Sequence, residues 1–142
     1  MKKDELPGGT ILVVEDTIDT RLVMSLMLQQ AGYYVVTAAN GDEAMKVAGH
    51  ALPDLIMMDL DMPQREGFAT TRRILQHAEL RDVAVVAATA YDAEGMRAAA
   101  RDAGCSGYIT KPIDFEQLDR MLRQILHGVE PGRFIEYVTE KK

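Results

Sequence analysis

The sequence has 142 residues, 47% of them hydrophobic and 27% charged, which predicts a single soluble globular domain. The formal net charge of −6 argues against direct binding of nucleic acid, and one cysteine, Cys105, cannot form an internal disulfide. The amino-terminal residues do not resemble a signal peptide, and no apolar run approaches the roughly 20 residues of a membrane span. We therefore expect a cytoplasmic protein without membrane insertion.

Short apolar runs alternate along the chain with stretches of helical periodicity. The predicted strands lie at 10–14, 33–37, 55–58, 83–88 and 106–110. The predicted helices lie at 16–31, 42–49, from Gly67 to about 79, 92–103 and 113–126. Apolar runs without a polar break are typical of strands that are buried on both faces of a sheet.

Repeated strand–helix units predict a parallel sheet with helices on both faces. The predicted α/β domain spans residues 10–127, between an amino-terminal extension at 1–9 and a carboxy-terminal tail at 128–142. In the tail, 133–138 alternates apolar and polar residues, which fits an added strand, a short helix or a disordered end. Ligands of such sheets bind at the carboxyl ends of the strands, so we expect the functional site at those ends.

Side chains suited to phosphoryl chemistry follow four of the predicted strands. In chain order they are Glu15, Asp16, Asp59, Asp61, Thr89 and Lys111. Crowded carboxylates repel one another unless a cation compensates, and oxygen ligands favour Mg²⁺. A lysine and a hydroxyl beside a carboxylate nucleophile can stabilise the oxygens of a phosphoryl group.

Each of these residues also has an ordinary interpretation when it is taken alone. Asp16, Asp42 and Thr89 are residue types that commonly cap helices, and Lys111 is compatible with a plain surface position. The combination at four neighbouring strand ends is what favours a metal-dependent phosphoryl-transfer site with Asp59 as the nucleophile.

The ordered set of motifs resembles the receiver domains of bacterial two-component response regulators over about residues 10–127. The matching positions are Glu15–Asp16, the run Asp59-Leu-Asp-Met-Pro63 with Gly67, Thr89–Ala90 and Tyr108-Ile-Thr-Lys111-Pro112. The resemblance implies a flavodoxin-like (βα)5 three-layer sandwich whose five parallel strands have the order 2-1-3-4-5. It fits a stand-alone receiver and equally one that has been excised from a larger protein such as a hybrid kinase.

The resemblance implies a role for each residue at the strand ends. Asp59 would accept a phosphoryl group from phosphohistidine on a histidine kinase or a histidine phosphotransfer protein. Mg²⁺ would be bound by the side chains of Asp16 and Asp59, by the backbone carbonyl of Asp61 and, through water, by Glu15. Lys111 would pair with the phosphoryl group.

The resemblance also implies a switch. Thr89 would hydrogen-bond a phosphoryl oxygen, and Tyr108 would turn inward as Thr89 moves, which repacks the surface of the fourth helix, fifth strand and fifth helix. An unknown downstream target, or a second copy in a homodimer, would bind that surface. The Lys111–Pro112 bond is expected to be cis, and an acid at Asp61 is expected to shorten the phosphorylated lifetime.

The apolar pattern of the first helix predicts a docking surface. The residues expected to face the sheet are Val23, Met24, Met27 and Leu28. Ile18, Leu22 and Leu26 then line up at a spacing of four on a more exposed side, and exposed apolar stripes tend to mark partner surfaces. We predict that Ile18 and Leu22 contact the phosphodonor, the alternative being a partly covered helix face.

Two other functions are compatible with parts of the pattern. Asp59 and Asp61 also resemble the nucleophile and acid/base of haloacid-dehalogenase-type Mg²⁺-dependent phosphatases. Against that alternative, the acids Glu15–Asp16 lie upstream of Asp59 rather than downstream, and no segment is available to form a cap over a substrate. The complete set of site residues argues against an interaction module that has lost phosphorylation, so we expect a phosphoacceptor rather than an enzyme.

Overall fold

The computed structural model describes residues 8–128 and 133–138; residues 1–7, 129–132 and 139–142 lie outside this description, with most of the predicted extension and part of the predicted tail. The strands are β1 (Thr10–Val14), β2 (Tyr34–Ala38), β3 (Leu55–Asp59), β4 (Ala84–Thr89), β5 (Gly107–Thr110) and β6 (Ile135–Tyr137). The α-helices are α1 (Ile18–Gln30), α2 (Gly41–Ala51), α3 (Glu66–Gln76), α4 (Met96–Ala103) and α5 (Phe115–Arg123).

The strands form one parallel sheet in the order β2-β1-β3-β4-β5-β6. The predicted order 2-1-3-4-5 is confirmed, and within the described residues β6 extends the sheet to six strands. The tail segment at 133–138 is thus an added strand at the β5 edge rather than a helix. The strand order reverses between β1 and β3, so the carboxyl ends of these two strands lie side by side, where α/β sheets bind ligands.

Each face of the sheet has its own apolar layer because successive residues of a strand point to opposite faces. Leu12 and Ile56 lie in the layer beneath α2, α3 and α4. Ile11 and Leu55 lie in the layer beneath α1 and α5. All five residues of β1 and of β3 are buried, which explains why these strands have apolar runs without a polar break.

Neither of the first two helices is capped by the acid that the sequence suggested as its cap. α1 begins at Ile18, so Asp16 is an exposed residue of the β1–α1 loop and not a helix cap. α2 is capped by Asn40, whose side chain accepts a hydrogen bond from the Glu43 N–H, while Asp42 lies in the first turn. The β1–α1 loop therefore leaves the Asp16 carboxylate available at the sheet edge.

The fourth helix is shorter than predicted. It begins at Met96 rather than at Asp92, after Gly95 with a φ of 86°. The Asp92 side chain lies outside the helix and accepts hydrogen bonds from Tyr108 and Arg97. Among the described helices, none is both long and apolar enough to cross a membrane.

Candidate functional site

The acidic residues that follow β1 and β3 come together at the carboxyl edge of the sheet. One carboxylate oxygen from each of Glu15, Asp16 and Asp59 lies within 4.8 Å of the other two. Glu15 and Asp59 are each only 6% exposed, whereas Asp16 is exposed. This arrangement offers oxygen ligands of the kind that Mg²⁺ binds.

Glu15 is the acid whose environment most favours a cation. Burial raises the pKa of Glu15 to about 8, and the neighbouring Asp59 carboxylate acts in the same direction, against a smaller opposite effect of Lys111. Its Oε2 atom is buried, and no hydrogen-bond partner for it is found among the described residues. Because a buried oxygen without a partner is costly, a divalent cation would relieve both the missing contact and the repulsion.

Lys111 reaches from the end of β5 to the carboxylates beyond β3. Its Nζ donates a hydrogen bond to Asp59 Oδ1 at 2.9 Å and lies 3.2 Å from Asp61 Oδ2. Burial acts to lower the pKa of Lys111, but Asp59 and the other acids around it raise that pKa on balance. The ammonium group therefore stays charged, and the Lys111–Pro112 peptide bond is cis, as the resemblance implies.

The Asp61 carboxylate binds donors from the end of β4. Thr89 Oγ1 donates to its Oδ1 at 2.6 Å, and the Ala90 N–H donates to its Oδ2 at 2.7 Å. Burial acts to raise the pKa of Asp61, but these hydrogen bonds and Lys111 lower it on balance. The hydroxyl, the amide and the ammonium group are the donors that phosphoryl oxygens would need, and here they bind Asp61.

Tyr108 is fully buried, so its ring already has the inward orientation that the resemblance associates with phosphorylation. Its hydroxyl donates to Asp92 Oδ1 at 2.7 Å, and burial together with Asp92 raises the pKa of Tyr108. Arg97 in turn donates to Asp92 Oδ2 at 2.9 Å. Asp92 and Arg97 are functional-site residues that the sequence pattern did not indicate; the one local signal is their spacing of five residues.

Gly67 allows α3 to begin directly against the end of β3. A Cβ atom at this position would lie 3.0 Å from both the Asp59 carbonyl oxygen and the Leu60 side chain, which is closer than side chains normally pack. Glu66 accepts a hydrogen bond from the Gly41 N–H at 2.8 Å, which joins the starts of α3 and α2. The glycine of the motif therefore lets α3 pack directly against the backbone at Asp59.

The predicted apolar surface of α1 is exposed. Ile18, Leu22 and Leu26 are 69%, 57% and 50% exposed. Of the residues expected to face the sheet, Met24 and Leu28 are buried, but the prediction is wrong for Val23 and for Met27, which remain exposed. The exposed apolar surface of α1 is thus wider than the sequence pattern indicated.

A cleft beside Asp59 accounts for the exposure of Val23. Its volume is about 350 Å³, and it lies between α1, the sheet and the loop from β5 to α5. Val23, Met57 and Phe115 are among the apolar residues that line it, and Asp59 and Lys111 lie at its polar end. The cleft therefore connects the α1 surface to the acidic cluster.

A parallel α/β sheet that brings acids, a lysine and a threonine together at its switch point is compatible with a phosphoacceptor signalling domain. The family model described as the response regulator receiver domain matches residues 11–123, and the chain belongs to that family. It is 32% identical to the protein PilH of Pseudomonas aeruginosa over 118 residues, which are 83% of this chain and 98% of PilH.

Solved structures show the same similarity. The chemotaxis protein CheY4 of Vibrio cholerae superposes with a TM-score of 0.78 at 31% identity, over 82% of this chain and 98% of that one. The receiver domain of a sensor histidine kinase from Pseudomonas aeruginosa, with a magnesium ion coordinated in its active-site cleft, has a TM-score of 0.76 at 34% identity over 84% and 98% of the two chains. The chain is thus a phosphoacceptor of two-component signalling rather than a classical enzyme, and the match does not support the phosphatase alternative.

Proposed function

We propose that Asp59 accepts the phosphoryl group from phosphohistidine on a histidine kinase or a histidine phosphotransfer protein. The observation that carries this proposal is the ion pair between Lys111 Nζ and Asp59 Oδ1 at 2.9 Å, beside the carboxylates of Glu15 and Asp16. The Asp61 N–H also donates to Oδ1 of Asp59. We therefore assign the attack on phosphorus to Oδ2.

The residues that would hold Mg²⁺ are Glu15, Asp16 and Asp59, together with the backbone carbonyl of Asp61. The unpartnered Oε2 of Glu15 supports this assignment, as does the magnesium ion in the related receiver domain. When bound, Mg²⁺ supplies positive charge that offsets the negative charge of the phosphoryl oxygens.

The transfer itself exchanges one bond to phosphorus for another. The Asp59 oxygen forms a bond to phosphorus while the bond from phosphorus to the histidine nitrogen breaks, and its electron pair remains on the imidazole. Lys111, the Thr89 hydroxyl and the Ala90 N–H donate to the phosphoryl oxygens, which carry more negative charge than a carboxylate. These donors are held in advance at the strand ends.

Asp61 competes with the phosphoryl group for those donors. Thr89 and Ala90 each donate to its carboxylate in this structure, so phosphorylation has to replace one anionic acceptor by another. We infer that Asp61 lowers the stability of the phosphorylated state. This competition acts in the same direction as an acid that orients water for dephosphorylation.

The two sides of the site suggest two partner surfaces. We assign the exposed Ile18, Leu22 and Leu26 on α1 to the phosphodonor, because the same helix also lines, through the exposed Val23, the cleft that leads to Asp59. We assign the downstream protein, or a second copy in a homodimer, to the surface of α4, β5 and α5. A histidine-kinase donor implies a cytoplasmic place of action, with the phosphoacceptor unit at residues 10–127.

Labelling by a small phosphodonor tests the acceptor assignment. With acetyl phosphate and Mg²⁺, intact-mass spectrometry should detect one added phosphoryl group on the unaltered protein and none on the Asp59→Asn variant. Asp42→Asn is the matched control because Asp42 is an exposed aspartate of α2 outside the cluster, and it should be labelled normally. Equal labelling of Asp59→Asn and of the unaltered protein would exclude Asp59 as the acceptor.

A further inference from the structure

The chain covers part of the surface of α4, β5 and α5 that we assign to the downstream protein. β6 pairs in parallel with β5, and the Ile135 N–H donates a hydrogen bond to the Ser106 carbonyl at 3.0 Å. The edge of β5, which would otherwise offer backbone groups to another chain, is therefore occupied by residues 133–138.

These residues pack as a strand of the domain rather than as a loosely attached end. Phe134 and Val138 pack against the apolar layer that contains Tyr108. Ile135 and Tyr137 pack against the opposite layer, on the α5 side of the sheet. The alternation of faces matches that of the internal strands, so the segment fits both layers at once.

Two arginines on one face of α4 also hold the segment. Arg101 lies over the Phe134 ring, 4.7 Å from its centroid, an arrangement that is attractive for a cation and an aromatic ring. Arg97 Nη1 lies 3.9 Å from the Glu136 carboxylate. Residues four apart on a helix share a face, which is why both side chains reach β6.

Arg97 connects this segment to the buried tyrosine. The Tyr108 hydroxyl donates to Oδ1 of Asp92, and Arg97 donates to Oδ2 of the same carboxylate. An inward Tyr108 therefore helps to hold Asp92, and Asp92 orients Arg97 toward Glu136. Since coupling between two sites is reciprocal, an inward Tyr108 and a docked β6 stabilise each other.

We propose that residues 133–138 are the chain's own ligand for the surface of α4, β5 and α5, and that Tyr108 sets how tightly they bind, through Asp92 and Arg97. A partner or a second copy that pairs with the β5 edge has to displace them. Phosphorylation that favours the inward Tyr108 tightens their docking. Only this last link rests on the proposed role of Asp59; the coupling between Tyr108 and β6 does not.

Amide hydrogen exchange at Ile135 measures the docking directly, because its N–H is bound to the β5 side. Tyr108→Phe keeps the ring but removes the hydroxyl, so exchange at Ile135 should accelerate by about twofold to fivefold. Tyr137→Phe is the matched control, since the Tyr137 hydroxyl contacts only Gln124 at 3.4 Å among the hydrogen bonds described. It should change exchange less than twofold.

The amide of Leu12 in the central strand β1 serves as a reference for global unfolding, and its exchange rate should be unchanged in both variants. Acceleration that is confined to Ile135 in Tyr108→Phe supports the proposal. Equal exchange in Tyr108→Phe and Tyr137→Phe, or acceleration of Leu12 and Ile135 together, would overturn it.

Beryllofluoride with Mg²⁺, a mimic of the phosphoryl group, tests the link to phosphorylation. It should slow exchange at Ile135 in the unaltered protein and have no such effect in Tyr108→Phe. The fluorine resonance reports whether beryllofluoride binds. If it binds but the exchange rate of the Ile135 amide is unchanged or faster, this link is wrong while the role of Asp59 stands. If it binds Asp59→Asn as well as the unaltered protein, the proposed function fails, and the two tyrosine variants still decide the docking proposal.

Discussion

The two sides of Asp59 differ in how many of their polar groups find hydrogen-bond partners and how many of their apolar residues are covered within the chain. On the side of α1, a cleft of about 350 Å³ opens beside exposed apolar residues, and Glu15 Oε2 has no hydrogen-bond partner among the described residues. On the side of α4, Thr89 donates a short hydrogen bond to Asp61, and Tyr108 and Arg97 both donate to Asp92.

The difference indicates that the two sides of Asp59 have different roles. Groups that the chain leaves unsatisfied are available to an incoming ion or protein, which suits the α1 side for the phosphodonor and Mg²⁺. On the α4 side the Thr89 hydroxyl already has an acceptor in Asp61, so a phosphoryl group on Asp59 has to displace that acceptor to bind it. Substitutions on the α1 side should therefore affect binding from outside, and those on the α4 side should affect coupling.

The largest effect is expected from the α1 surface. Ile18→Lys together with Leu22→Lys places two charges in the predicted contact, so phosphotransfer from a histidine kinase that labels the unaltered protein should fall by about 30- to 100-fold. Labelling by acetyl phosphate should be unchanged, because the small donor does not need the helix.

Gln29→Lys with Gln30→Lys is the control for this double substitution. It adds the same charges to exposed positions at the far end of the same helix, and phosphotransfer should stay normal. Loss of acetyl phosphate labelling in Ile18→Lys/Leu22→Lys would show damage to the site itself and would remove the distinction between the two sides.

A pH-dependent effect on stability is expected from Glu15. Its pKa of about 8 in the folded state exceeds the ordinary 4.5, so the folded protein binds this proton more tightly than the unfolded chain. The resulting stabilisation is complete below pH 4.5 and is lost as the pH rises through 8. Glu15→Gln resembles the protonated form and should be more stable than the unaltered protein at high pH, by about 1–2 kcal/mol.

Denaturant unfolding at several pH values with a chelator present measures this difference. Glu79→Gln, at an exposed position, should show no such trend. A stability difference between Glu15→Gln and the unaltered protein that is constant from acid to alkaline pH would mean that the α1 side is not electrostatically strained.

A smaller effect is expected from Asp61. The Asp61→Asn side chain has a single acceptor oxygen and no charge to hold Lys111, so Thr89 and Ala90 become freer to bind the phosphoryl group. The phosphorylated state should last about threefold to fivefold longer, measured as the decay of the acetyl phosphate label. Asp42→Asn should decay at the normal rate, and an unchanged rate in Asp61→Asn would contradict the competition that we infer.

Much of the α1 side could be predicted from local sequence. Uninterrupted apolar runs located β1 and β3, and residues directly after parallel neighbours must lie side by side, so Glu15, Asp16 and Asp59 were recognisable as a cluster. Helical periodicity could not predict the exposure of Val23, because the cleft depends on how α1 lies against the loop from β5 to α5.

The α4 side depends on contacts between distant residues, which a sequence pattern does not contain. Asp92, which lies before the start of α4 at Met96, is bound by Tyr108, sixteen residues away in the chain. The alternation in 133–138 was compatible with several structures, and the fit to both apolar layers beside β5 is what makes it a strand. The contact of Arg97 with Glu136 joins two such elements.

That contact should have the smallest effect. Arg97 and Glu136 are both partly exposed and lie 3.9 Å apart, so a double-mutant cycle of Arg97→Ala and Glu136→Ala should give a coupling of about 0.2–1 kcal/mol, read from exchange at Ile135. Arg123→Ala, which removes an ion pair within α5, should leave that exchange unchanged. Because screening weakens exposed ion pairs, the coupling should decline in about 1 M salt. If no coupling is measured at low salt, Arg97 does not stabilise the docking of β6. The cation–aromatic contact of Arg101 with Phe134 would then be the contact that holds the segment from α4.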